Sequence, residues 1–427
     1  MKRHLSLWAT AVLALGAIGL AAGAVVSQDG RATQPSAVQA PPANASAVLL
    51  DERPSADPEA QGVIVAEAQG HLFRLSPQGS LLGEPELISR QDGLSHDGHW
   101  LALTDCKDQG CSLAVGPHGG PWDIARLTVK LDAAFLMGEW APSAVRFAAL
   151  DTAGNLYFFE PEARNLRRVK AGVTAFAWAS GDRLIFATQD GTAARLWRVE
   201  SSTSAAVQIA KLEAPVGQLF ASPDTTEFAF AQDDASGWRL MSVHLDTGRL
   251  RDFGNLGRGA SQATAPAFAI AWSPDGSRIA VGPVIEPFAL HVIAAGETGG
   301  VVSSFPLEKG YAGELKWSPD GSTLAISTYA PNRVWHEVFA LDMADLSAGP
   351  RFLLDGCEIA WSPDGRFVAV KREAWRAQAL AAIRVDTGGY WHVMEHAHLV
   401  PVAWGADSAS ATEQALAPVR RSGQLGK

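Results

Sequence analysis

Runs of like charge are largely missing from this chain. Its 427 residues carry a formal net charge of -10, but acidic and basic side chains are interspersed, and no basic stretch supplies the footprint that nucleic-acid binding requires. Nucleic acid is therefore not an expected partner. Tyrosine is scarce, with four residues against fourteen tryptophans, a ratio that asks for an explanation in the architecture. The marks of several catalytic classes are missing too. There is no G-x-S-x-G elbow, no phosphate loop, no dinucleotide fingerprint and no H-E-x-x-H, since His336-Glu337 lacks the second histidine. A peptidase reading is weak on these grounds. Cysteine is limited to three residues.

What the chain does have is a core-forming composition, 47% hydrophobic, and one repeated phrase. Ala271 to Val281 (AWSPDGSRIAV), Lys316 to Ile326 (KWSPDGSTLAI) and Ala360 to Val370 (AWSPDGRFVAV) each read strand, turn, strand. Pro274, Pro319 and Pro363 pre-set φ for the first corner, the following aspartates bond locally to the turn backbone, and the glycines accept the positive φ that re-enters a strand. Degenerate copies centred on Leu94, Trp140, Trp178, Phe220 and Trp404 bring the count to eight, at intervals of about 40 to 50 residues, the period of a four-stranded propeller blade. Six of the fourteen tryptophans occupy one place in this repeat, so a large share of the tryptophan is architectural.

Within each unit the strands are A, ending in the Trp, then B, C and D. Residues 62 to 88 read as B, C and D without an A, and residues 398 to 404 as A alone. Together they make one composite blade, which closes a ring and removes two free sheet edges. The expected fold is thus all-β, a propeller of four-stranded antiparallel blades, eight in number, or seven if the copy at Leu94 or Trp404 is not a separate blade.

The three strong phrases resemble the repeat of TolB-type propellers, also called WD40-like or PD40 repeats, over about residues 62 to 405. The copies at Trp140 and Trp178 depart from that pattern by losing the Asp-Gly pair. The Gly-His and Trp-Asp marks of true WD40 repeats are absent at matching spacing. The resemblance implies a propeller with an extracytoplasmic protein-binding role, in a family that also includes propellers attached to serine peptidases and some polysaccharide lyases. Fold alone does not choose among these.

The flanks suggest export. Met1-Lys2-Arg3-His4 precedes an uncharged apolar stretch from Leu5 to Val26, so residues 1–26 are expected to be a signal peptide or a signal anchor, and residues 5–26 are the only expected membrane contact if uncleaved. Residues 27–61, rich in Ala, Pro and Ser, are expected to be a linker, residues 62–407 the propeller, and residues 408–427 a flexible tail. Periplasmic or secreted placement follows, and it makes a disulfide between Cys106 and Cys111, across a short hairpin loop, plausible. Cys357 has no evident partner.

Sites are sorted by face. The A-B and C-D turns share one face, and the B-C and D-A connections share the other. The aspartates of the Ser-Pro-Asp-Gly turns recur from blade to blade and are read as structural. On the opposite face the later B-C loops gather aromatic and arginine side chains, which give contact area with directional donors: Tyr329, Arg333, Trp335, Arg372, Trp375 and Arg376 are the candidate binding patch. The competing reading is that the tryptophans pack on neighbouring blades. No cofactor is expected. His392, His396 and His398 would share one side of an extended strand, but residues four apart in a strand are roughly 13 Å from each other, so they are weak metal candidates. His96 and His99 flank a turn that already explains Asp97 and Gly98. The leading functional expectation is a non-enzymatic protein- or peptide-binding module at the cell envelope. A metal-assisted propeller enzyme such as a polysaccharide lyase, and a purely structural envelope scaffold, are the alternatives.

Overall fold

The computed structural model describes residues 55–410 apart from 69–70, 85, 88–94, 96–98, 108–109, 118–127, 202, 235–236, 258–267, 284–288, 297–298, 308–310, 330–335, 375–376, 396–398 and 409. The described elements are strands, relieved by two single-turn 3-10 helices, Ser180–Asp182 and Leu346–Ala348. No helix among the described residues is long and apolar enough to cross a membrane.

Six four-stranded antiparallel sheets and one seven-stranded sheet are present among the described residues. Blade three is representative, with strands Val173–Trp178, Leu184–Asp190, Ala193–Val199 and Val207–Leu212 in consecutive order. Blades four to seven follow the same order and begin with Phe220–Ala221, Phe268–Trp272, Tyr311–Trp317 and Cys357–Trp361. The seven-stranded sheet resolves into two units. Phe135–Trp140, Phe147–Asp151, Leu156–Glu160 and Asn165–Lys170 form blade two, and Trp100–Lys107, Gly110–Pro117 and Thr128–Val129 belong to blade one. A single residue pair, Cys111 opposite Phe135, joins them. The inner strand expected before Trp100 falls on residues outside those described.

The eighth blade is the composite. The last strand, Val400–Gly405, pairs antiparallel with Val63–Ala68, placing Trp404 opposite Ile64, and His71–Leu75 and Glu86–Leu87 complete the sheet. Trp404 Nε1 donates to the carbonyl of Gln61 at 2.8 Å. Ordered contacts begin ahead of Gly62: Asp57 and Glu59 accept from Arg384 at 3.0 and 2.8 Å, Glu59 also pairs with Arg366, and Ala60 is buried in the core. The end of the expected linker is thus laid against blade seven.

The core lies between blades rather than inside any one of them. Side chains alternate along each strand, so Leu324 and Ile326 of the strand Thr323–Tyr329 pack with blade five while Ala325 packs with blade seven. Seven such clusters link the eight blades in succession. Each fully buried Phe or Leu contributes about 1.5–3 kcal/mol on removal from water. A blade has two apolar faces and is stable only between neighbours.

Candidate binding face

The face that carries the repeated turns is built alike in blades four to seven. In blades five, six and seven the buried Ser273, Ser318 and Ser362 donate to Asp275, Asp320 and Asp364 at 2.6 Å, and each serine accepts a main-chain N–H from five residues on. Blade four repeats the device with Ser222 and Asp224. Hydrogen bonds from Ser273 and then Ser277 hold the Asp275 carboxyl at about 2, below its ordinary 3.8. Asp320 and Asp224 are displaced the same way, first by their own turn serines. The tryptophans are equally regular. Trp178, Trp272, Trp317 and Trp361 donate Nε1–H to carbonyls of Glu139, Phe220, Ala271 and Lys316 on the inner strand of the preceding blade, at 2.9–3.1 Å. These residues tie blade to blade and leave little chemistry free for a ligand.

The other face differs from blade to blade. The inner strand carries a β-bulge in five blades, with Leu136, Thr174, Gly313, Glu358 and Val402 as the extra residue. A bulge leaves one residue out of the ladder and re-aims it. Each lies a few residues ahead of the terminal Trp, on the part of the strand nearer the D-A connection, and the five range from aliphatic through polar and acidic to glycine. Leu136 is 52% exposed. Glu358 holds φ at +58°, a left-handed conformation that costs a non-glycine residue about 1–2 kcal/mol. Its neighbour is clamped from blade six: Ile359 N–H donates to Glu314 Oε2 at 2.9 Å, Lys316 Nζ donates to the Ile359 carbonyl, and Glu314 and Lys316 pair at 2.8 Å. The strain is thus held in place by a neighbouring blade. Sequence reading missed these positions because a bulge leaves no residue signature, only a break in alternation.

A buried polar knot sits at the B-C turn of blade two. The fully buried Asp151 accepts from Ala153 N, Asn155 N and the Tyr157 hydroxyl at 3.0, 2.8 and 3.1 Å. Burial first, and the neighbouring aspartates after it, push the Tyr157 hydroxyl up to about 12. The carboxylate is satisfied internally and fixes the turn.

Of the candidate patch, Arg333, Trp335, Trp375 and Arg376 lie outside the described residues. Tyr329 ends its strand with its ring 4.2 Å from that of His336, and the ring covers the bulge at Gly313, where an added Cβ would come within 1.9 Å of it. Arg372 is not in a loop. Its strand continues to Ala374 and the next begins at Ala377, so Arg372 stands in the ladder opposite Ala379. Its Nη1 is 2.9 Å from His392 Nε2, and its guanidinium lies over the Tyr390 ring at 4.9 Å. His392 Nδ1 is 3.2 Å from Glu395 Oε1. Both ring nitrogens of His392 are engaged and an arginine occupies the direction a metal would need, while His396 and His398 lie outside the described residues. Among the described residues no group of three His, Cys, Asp or Glu side chains is placed to hold a metal ion.

Cys106 and Cys111 face each other directly in the antiparallel ladder, with strands reaching Lys107 and resuming at Gly110, a tighter hairpin than the loop expected from sequence. Cys111 is disulfide-bonded and Cys357 is a buried thiol. Residues Gly254 to Gly257 finish the outer strand Leu250–Gly257.

Antiparallel four-stranded blades in succession, packed face to face and sharing their first and last strands in one sheet, define a β-propeller. No protein-family model and no curated protein sequence matches the chain. Among solved structures it is similar to a eukaryotic initiation factor, at 12% identity and TM-score 0.50 over 79% of this chain and 86% of that one. It also matches the β-propeller domain of Swd1 from Myceliophteria thermophila, at 16% identity and TM-score 0.40 over 64% and 87%. TolB from Acinetobacter baumannii matches at 12% identity and TM-score 0.35 over 75% and 88%. At such identities a likeness concerns fold and carries no function.

Proposed function

We propose that the chain is an exported, TolB-like, non-enzymatic propeller that binds a protein or peptide segment at the cell envelope, on the face of its B-C hairpins and D-A connections. One observation carries the reading: the Ser–Asp turn repeats in blades four to seven on the turn face, while the bulged positions toward the opposite face, in five blades, range over Leu, Thr, Gly, Glu and Val. A scaffold that repeats where it must hold together and varies where it opens is suited to recognising an irregular surface. Export rests on residues 1–26, and the partner is neither nucleic acid nor a cofactor.

Capture from the native envelope by immobilised full chain tests the proposal. Leu136→Lys should remove a specific partner, whereas Ala344→Lys, at an exposed position in the C-D connection on the turn face, should not. Equal capture by both variants would reject the face assignment.

A further inference from the structure

The outer strand of each blade is a sheet edge, and natural proteins protect such edges with charged side chains. Among the described outer strands longer than two residues, one departs from that rule. Asn165–Lys170 carries Arg167, Arg168 and Lys170; Val207–Leu212 carries Lys211; Leu250–Gly257, Arg351–Asp355 and Tyr390–Glu395 each carry ionisable groups. Gly300–Pro306 of blade five, seven residues reading GVVSSFP, has none. It pairs only with Ala289–Ala294 among the described strands. Val301 and Val302 on it are 43% and 50% exposed, and a register shift leaves Val302 as the extra residue.

From this we infer that Gly300–Pro306 is a self-association edge, pairing antiparallel with the same strand of a second copy of the chain about a two-fold axis. The commitment to a second copy rests on charge. In a two-fold pairing each strand meets itself, so Asn165–Lys170 would set Arg and Lys against Arg and Lys, whereas Gly300–Pro306 sets no charge against another. A pairing centred on Ser303 places Val302 opposite Ser304 of the copy, at a spacing where the side chains touch. The chain's net charge of -10 opposes association only from a distance, where salt screens it. The contact is isologous and closes at two copies. One short edge buries less than a standard interface, so the dissociation constant belongs on the order of 1–100 μM.

Light scattering and sedimentation of the full chain over that concentration range provide the test. The expected result is a monomer–dimer equilibrium that Val302→Lys weakens at least tenfold without changing thermal unfolding. Val207→Lys is the control, altering an equally exposed valine on the outer strand of blade three, and should leave the equilibrium in place. A chain that stays monomeric overturns the inference, as does a dimer indifferent to Val302→Lys or abolished equally by Val207→Lys. Loss of partner capture in Val302→Lys with self-association unaltered would assign the edge to another protein and likewise overturn it. These readouts are independent of Leu136→Lys, so the edge and the binding face stand or fall separately.

Discussion

Trp404→Ala should cost more stability than its place near the end of the chain suggests. Trp404 is 1% exposed, stacks on Phe367 at 6.1 Å, and packs in the cluster that joins blade seven to the composite blade. Truncating a buried Trp to Ala typically costs about 3–5 kcal/mol. Loss of the bond to the Gln61 carbonyl adds about 1 kcal/mol. A combined loss of roughly 4–6 kcal/mol is a large part of the 5–15 kcal/mol typical of folded proteins. Trp404→Phe keeps most of the apolar area and loses the bond, so it should cost only about 1–2 kcal/mol. Urea unfolding followed by fluorescence and circular dichroism measures both. If Trp404→Ala shifts the midpoint by no more than a surface substitution does, the shared sheet is not what couples the two ends of the fold, and the reasoning fails.

Three further outcomes are expected. Asp275 is held below its unfolded pKa, so its contribution to stability is fully present above about pH 4 and is lost as pH falls toward about 2; the stability gap between wild type and Asp275→Asn should shrink over that window in acid titrations. Gly313→Ala places a Cβ inside the Tyr329 ring and should cost about 1–3 kcal/mol, recovered in part by Tyr329→Ser in a double-mutant cycle. Mass spectrometry of unreduced peptides should find Cys106 joined to Cys111, and reduction should cost on the order of 2 kcal/mol, because so short a loop limits the entropic gain; both thiols free in exported protein would contradict it.

Much of the fold was legible in the sequence because Trp-Ser-Pro-Asp-Gly is a local device. Its proline, aspartate, glycine and buried serine act within a few residues, so the chemistry shows wherever the phrase recurs. The composite blade followed from counting strands at the two ends. The site was far less legible. Arg372 read as a loop residue because KREAWR has no apolar alternation, yet pairing with Ala377–Arg384 extends the strand through it. The bulges depend on how one inner strand fits beside the next, and Glu358 is positioned by Glu314 and Lys316 from another blade. Such partners are set by packing between repeats, which no single repeat encodes.

The most direct test of the claim that one face is built for stability and the other for recognition is Glu358→Gly, measured for unfolding and for partner capture together. Glycine adopts φ near +58° without penalty, offset by its greater freedom when unfolded. The account predicts capture of the envelope partner reduced, with stability changed by no more than about 1 kcal/mol in either direction. Capture retained at wild-type strength, with stability lost, would show that Glu358 serves the fold and would contradict the account.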